Sequence, residues 1–176
     1  MEVELRDGGT IAIRPIEPDD KPLLQDFFAR QSPESRRRRF MTDADELSPE
    51  DLIYLTEVDH RRHEALVALD PESGAMLGVV RWFRIPGQRE VAELAAAVAD
   101  DHQGRGIASA LVAAANERAR TEGIERYHAA VSTDNVQVIE VLERHGAKRR
   151  GAPEAGEIEF EADVPGEGVG ASLAAG

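Results

Sequence analysis

Chemistry in this chain is concentrated in residues 91–111, VAELAAAVADDHQGRGIASAL. The second half of that stretch places Gln103-Gly104-Arg105-Gly106-Ile107-Ala108-Ser109 directly before a helical pattern. Glycines at 104 and 106 let the backbone curl close to a ligand. The first amides of the following helix have no internal partner, so they face an anion with the helix dipole behind them. Arg105 adds a formal positive charge, and the whole is suited to phosphate. The first half carries Glu93 in the middle of a strand pattern, an unusual place for a carboxylate unless its face meets water or a ligand. The two-residue period of a strand puts Ala95, Ala97 and Ala99 on its side, which leaves room there. Glu93 is therefore either a proton acceptor on a ligand-facing surface or a carboxylate on an exposed sheet face.

Other phosphate chemistries fit less well. A dinucleotide fingerprint needs a third Gly or Ala where Ser109 stands, in a βαβ unit near the start of the domain. A mononucleotide loop needs a Gly-Lys-Ser/Thr ending that is missing here. With no cysteine, disulfides, thiolate metal sites and a cysteine nucleophile are all excluded. The five histidines lack a paired spacing, so no metal is expected. His102 is read as a turn residue and His145 as a cation at a helix C-terminus.

The elements that must position these residues follow from periodicity. Thr10 to Arg14 reads as a strand, and Pro18-Asp19-Asp20 opens a helix whose Leu23, Leu24, Phe27 and Phe28 form one apolar stripe. Ser32-Pro33-Glu34 and Ser48-Pro49-Glu50 cap short helices near 33–40 and 49–57. Ala65 to Leu69, Met76 to Phe83 and Val91 to Ala99 read as a three-stranded antiparallel meander. A long helix is expected over 104–122, a strand over 124–132, a helix over 135–145 and a last strand over 157–164. The Arg36 to Arg39 run reads as a solvated face or as the border of a ligand groove. Trp82 and Phe83 read as core, or one ring lines a pocket.

The run HQGRGIA fits the Gln/Arg-x-x-Gly-x-Gly/Ala signature of the GNAT acetyltransferases, with Gln103, Gly106 and Ala108 at its defining positions. The similarity extends upstream through VAEL to Val98 and downstream to Asn135 and Gly146, which resemble that family's Asn…Gly-Phe segment. Residues 8–151 can be laid on the family. IRPIEPDDKPLL and SPESRRRRF are similar to the catalytic domain of bacterial protein lysine acetyltransferases. The resemblance implies an α/β (α+β) GNAT fold: a mixed, mostly antiparallel sheet of six to seven strands with about four helices on both faces. It implies acetyl-CoA as cosubstrate, with the backbone of Val98 pairing with the pantetheine arm and amides of Gln103, Gly104, Arg105, Gly106, Ile107, Ala108 and Ser109 on the pyrophosphate. It makes Glu93 the base, Asn135 a cofactor contact where the residues alone also allow it simply to start its helix with Asp134 as local cap, and an amine the acceptor, a protein lysine ahead of small amines or amino acids. The chain departs from many members at Leu142, where a tyrosine often serves as acid, and at Ala147, where phenylalanine is usual. Leu142 keeps open the alternative of a non-catalytic acyl-CoA sensor.

Composition bounds the rest. The 176 residues, 41% apolar, suit one domain over 1–164. The segment GEGVGASLAAG offers too few large apolar groups to offset its ordering entropy, so 165–176 is expected to be a flexible tail. No secretory signal or membrane-spanning run is visible, so a cytoplasmic protein is expected. A net charge of −13 disfavours nucleic acid as a partner and favours basic protein surfaces.

Overall fold

The computed structural model describes residues 1–40, 44–144 and 146–165. The expected tail beyond Pro165, and His145, lie outside the described residues. In chain order the elements are β1 (Glu2–Glu4), β2 (Thr10–Pro15), a 3-10 turn (Pro18–Asp20), α1 (Lys21–Ala29), α2 (Pro33–Phe40) and α3 (Pro49–Thr56). Then come β3 (His63–Leu69), β4 (Met76–Arg84), β5 (Val91–Val98), a second 3-10 turn (Asp100–His102), α4 (Ile107–Thr121), β6 (Arg126–Ser132), α5 (Val136–Arg144), β7 (Lys148–Glu154) and β8 (Glu157–Asp163).

All strands join one sheet in the order β1-β2-β3-β4-β5-β6-β8-β7. The β5–β6 pair is parallel, and the other pairs are antiparallel. The described residues thus form eight strands and five helices, where six to seven strands and about four helices are expected from sequence. The unexpected strands are the two sheet edges. β1 has three residues, and β7 is exposed at every position, interrupted by Gly151 at φ 73° and by a register shift between Arg150 and Glu154. Neither strand carries the buried alternation by which strands are recognised, because edge strands bury too little to need it.

Two cores sandwich the sheet. On one face Ile107, Leu111, Ala114, Ala115 and Ala119 of α4 pack on Ile11, Ile13, Leu66, Val80, Trp82, Ala92 and Tyr127. On the other, Leu24, Phe27 and Phe28 of α1 pack on Ala65, Val67, Met76, Val79, Ala97 and Ala99, with Leu52 and Leu55 of α3 alongside. Strand periodicity assigns each residue to its face, and buried β3 and β4 read as continuous apolar runs because both faces are covered. Gly78 is where α4 presses closest: a Cβ there would lie 3.0 Å from Leu111 Cδ1 and 3.0 Å from the Ala97 carbonyl oxygen. A smaller core of Val131, Ile139, Ala147, Ile158 and Phe160, with Leu142 packed against it, seats α5 on β6 and β8.

Candidate active site

The site is organised by a break in the ladder. β5 pairs with β4 along its whole length, from Ala92 opposite Arg84 to Val98 opposite Gly78. With β6 it pairs at Val91, Ala92 and Glu93 alone, while β6 continues its ladder on β8 out to Ser132. The two parallel strands therefore part after Glu93. The Ala99 amide donates to the Leu77 carbonyl on β4 at 2.9 Å. The two-residue period turns Ala97 and Ala95 the same way and sends the N–H and C=O groups of Val98, Ala96 and Leu94 into the gap. An extended ligand can hydrogen-bond there as an added strand would.

At the end of that gap the chain turns through Asp100–His102 into α4. Gly104 and Gly106 adopt φ 76° and 92°, the left-handed region that other residues enter only at a cost. A Cβ on either would meet nothing within 4 Å, so the demand for glycine is conformational and the surface outside is open. The first bond into the helix runs from the Ala110 amide to the Gly106 carbonyl at 3.0 Å. Ahead of it stand the amides of Ile107, Ala108 and Ser109, which form the anion-facing end of a 15-residue helix. The Ile107 side chain is 1% exposed in the core, so that residue offers its amide alone. Gln103 donates to Asp100 Oδ1 at 3.1 Å, and Asp100 also accepts from the Ser32 amide at 2.7 Å and the Ser35 hydroxyl at 2.6 Å, tying the turn to α2. These donors, with the adjoining unladdered strand edge, fit a diphosphate joined to an extended arm.

Arg105 is engaged rather than free. Its Nε lies 2.5 Å from Asp7 Oδ2 and its Nη1 donates to His102 Nδ1 at 2.7 Å. The Asp7 carboxyl is held below its ordinary range, first by the hydrogen bond from Arg105 and then by the Gly9 amide. This bridge spans 98 residues of chain and fastens the turn after β1 to the glycine turn ahead of α4. Sequence reasoning missed it because neither residue carries a local signal for the other.

Glu93 is exposed, and among the described residues no hydrogen bond or ion pair engages it. Its strand partners are Phe83 on β4 and His128 on β6, so all three share a sheet face. His128 Nε2 meets Glu161 Oε2 at 3.0 Å, and the Arg150 Nη1 lies 3.1 Å from the same ring nitrogen. The Glu161 carboxyl is lowered mainly by that His128 bond. On the β4 side, Arg81 is 7% exposed and donates through Nη1 to the Leu55 carbonyl and to His63 Nε2, each at 3.3 Å. Burial pushes its guanidinium down to about 10.

The remaining sequence candidates, and Tyr127 beside them, divide cleanly. The Asn135 side chain accepts from the Val138 amide at 3.4 Å, so it caps α5, and Gly146 at φ 84° closes that helix. Leu142 and Ala147 belong to the α5 core. Tyr127 is buried on the α4 face with its hydroxyl 3.4 Å from the Ala115 carbonyl, and burial raises its pKa. Trp82 is core at 0% exposure, whereas Phe83, its neighbour, points to the face of Glu93. Arg36 turns inward, 2.6 Å from Asp45 and over the Phe28 ring. No group of metal-ligating side chains occurs among the described residues, and no helix there is long and apolar enough to cross a membrane.

Residues 23–147 match the Acetyltransferase (GNAT) family. The chain belongs to it. The domain is thus an acetyltransferase of the GNAT family. It is 32% identical over 165 residues to Acetyltransferase Pat of Mycolicibacterium smegmatis, covering 94% of this chain and 49% of that protein. The chain thus spans about half the length of that relative. Over 133 residues it is also 32% identical to an acetyltransferase of Pseudomonas aeruginosa, covering 74% of this chain and 71% of that one. Among solved structures, the GNAT domain of S. lividans PAT superposes with a TM-score of 0.86 at 35% identity, covering 93% and 96% of the two chains.

Proposed function

We propose that this GNAT domain transfers the acetyl group of acetyl-CoA directly to a protein lysine side chain. The observation that carries the reading is the unladdered edge of β5, which runs from the phosphate loop to Glu93, an exposed carboxylate with no cation on it among the described residues. The similarity of IRPIEPDDKPLL and SPESRRRRF to bacterial protein lysine acetyltransferases supports the acceptor, and a net charge of −13 draws basic protein surfaces.

The cosubstrate supplies an acyl carbon whose leaving group is a thiolate. The amides from Gln103 to Ser109 hold its pyrophosphate, and the edge of β5 aligns the pantetheine arm. The Val98 N–H stabilises the negative charge that develops on the acyl oxygen. A lysine ammonium has a reference pKa of ~10.4, so freeing its lone pair at neutral pH costs about 4–5 kcal/mol, and a base lowers that barrier. Glu93 takes the proton. Val98 lies five residues on, about 16 Å along an extended strand, so an acceptor nitrogen standing between them passes its proton to Glu93 through water. The C–N bond forms as the C–S bond breaks, and no acyl-enzyme is required. A thiolate with a reference pKa of ~8.5 leaves without a strong acid, which fits the packing of Leu142 in the core and the burial of Tyr127.

Leu142 also supports a second reading, an acyl-CoA sensor without turnover. Release of free CoA thiol from acetyl-CoA, measured against lysine-bearing proteins, polyamines and amino acids, separates the two. Acceptor-dependent release with lysine proteins in the lead is the expected result. Tight acetyl-CoA binding with no release from any acceptor would establish the sensor.

A further inference from the structure

Beside Glu93 stands an aromatic wall assembled from three separate elements. Phe83 of β4 is the direct strand partner of Glu93, and His63 of β3 is the direct partner of Phe83. The His63 and Phe83 rings stack with centroids 4.1 Å apart. Tyr54 of α3 closes the group, parallel to Phe83 at 6.0 Å and 9° and tilted to His63 at 5.6 Å. Tyr54 is 61% exposed and its neighbour Ile53 48%, although α3 buries Leu52 and Leu55 well enough to anchor itself without them. Two of the four large apolar side chains that the described residues expose thus lie on α3, the helix whose Tyr54 stacks on the strand partner of Glu93.

The wall is locked from behind. Arg81 can only donate, so the His63 Nε2 that it meets at 3.3 Å must accept, which fixes the neutral imidazole with its proton on Nδ1. The same guanidinium donates to the Leu55 carbonyl and so holds the end of α3 against the sheet. The turn that presents His63 is built on Asp59, whose Oδ1 accepts from the amides of Arg61, Arg62 and His63 at 3.0, 2.7 and 3.0 Å. Burial, and then the charge of Arg81, push the His63 imidazole down to about 4, so it adds no positive charge at neutral pH. The result is a rigid, uncharged aromatic surface ending at a carboxylate.

We propose that Tyr54, His63 and Phe83 form the acceptor subsite, seating the methylene stem of the incoming lysine against their rings so that its nitrogen reaches Glu93. The inference rests on the lysine acceptor and on Glu93 as base. An unbranched alkyl chain ending in an amine matches a flat apolar wall that terminates in one acid, because the stem loses water against the rings while the charged head keeps a counter-ion. An acceptor without that stem gains nothing from the wall.

The test is a KM split. In Tyr54→Ala and Phe83→Leu the KM for a lysine peptide is expected to rise about tenfold, with the KM for acetyl-CoA unchanged and Tyr54→Phe close to wild type. A peptide carrying 2,3-diaminopropionic acid, whose single methylene cannot lie along the wall, should show no such rise. Unchanged lysine-peptide KM in both variants overturns the subsite, even if Glu93→Gln is impaired, whereas full activity in Glu93→Gln removes the base and leaves the wall to be judged by its own KM. If a linear diamine is acetylated in place of any lysine peptide, the protein acceptor is wrong, and the diamine KM in the same variants decides the wall. For turnover-free proof, Nα-acetyl-lysine amide titrated into the CoA-saturated protein should shift the ring proton resonances of Tyr54 and Phe83, and no shift would overturn the subsite.

Discussion

Glu64 and Glu93 stand on neighbouring parts of one sheet and lead opposite lives. Glu64 is 1% exposed beneath α4, where His60 Nδ1 meets one oxygen at 2.6 Å and the Arg118 guanidinium the other at 2.9 Å. Glu93 faces the other side, exposed, with no cation on it among the described residues. A carboxylate sealed under a helix must be paired, because an isolated buried charge is too costly to keep. One that is to take up a proton is better left without cations, since each would depress its basicity. In this sheet the buried acid holds the fold, and the exposed one is free for chemistry.

The largest effect expected from breaking this contrast is on Glu93. Glu93→Gln should lower kcat/KM at neutral pH by roughly 10²–10⁴, the usual contribution of a general base, with an unchanged denaturation midpoint. Glu64→Gln should do the reverse. Losing its charge-assisted bonds should cost about 1.5–3 kcal/mol in chemical denaturation, while kcat/KM below the unfolding transition stays near wild type. Next comes Gly106→Ala, which forces an L-residue to φ 92° and should cost about 1–2 kcal/mol, accompanied by weaker acetyl-CoA binding in calorimetry.

The smallest effect is a pH dependence of the wall. His63 titrates near 4 in the folded protein and near its ordinary 6.5 when unfolded. As pH falls below about 6.5 the unfolded chain takes up that proton first, so this contribution to stability, complete above 6.5, is lost between 6.5 and 4. Asp59, held down to about 2 by the amides of its turn, acts in the same direction below its ordinary 3.8. Denaturation of wild type and His63→Gln at pH 7 and pH 5 should show the wild type losing more stability over that interval.

The glycine turn ahead of α4 was legible because its requirements are local: two glycines needing positive φ, a small-residue strand before them and a helix after. The apolar stripe of α1 and the β3–β5 meander were legible for the same reason, as each carries its own period. Asn135 was open between a cofactor contact and the start of a helix capped by Asp134, and its own bond from the Val138 amide puts the cap one residue later, on Asn135. The parting of β5 from β6 was hidden, since it depends on β6 keeping β8 as its partner. So were the Asp7–Arg105 bridge and the wall of Tyr54, His63 and Phe83, whose members come from three elements with no spacing in common. Trp82 and Phe83 show the limit well: composition allowed core or pocket, and strand alternation sends Trp82 into the α4 core and Phe83 to the face of Glu93.

The central claim, that Glu93 is the base for an otherwise protonated acceptor, is tested most directly by the pH profile of kcat/KM for wild type and Glu93→Gln between pH 7 and pH 10. A missing base matters less as the acceptor loses its own proton, so the deficit of Glu93→Gln should narrow steadily with rising pH while acetyl-CoA affinity stays constant. Equal activity of the two proteins across the range, or a deficit that does not change with pH, would contradict it.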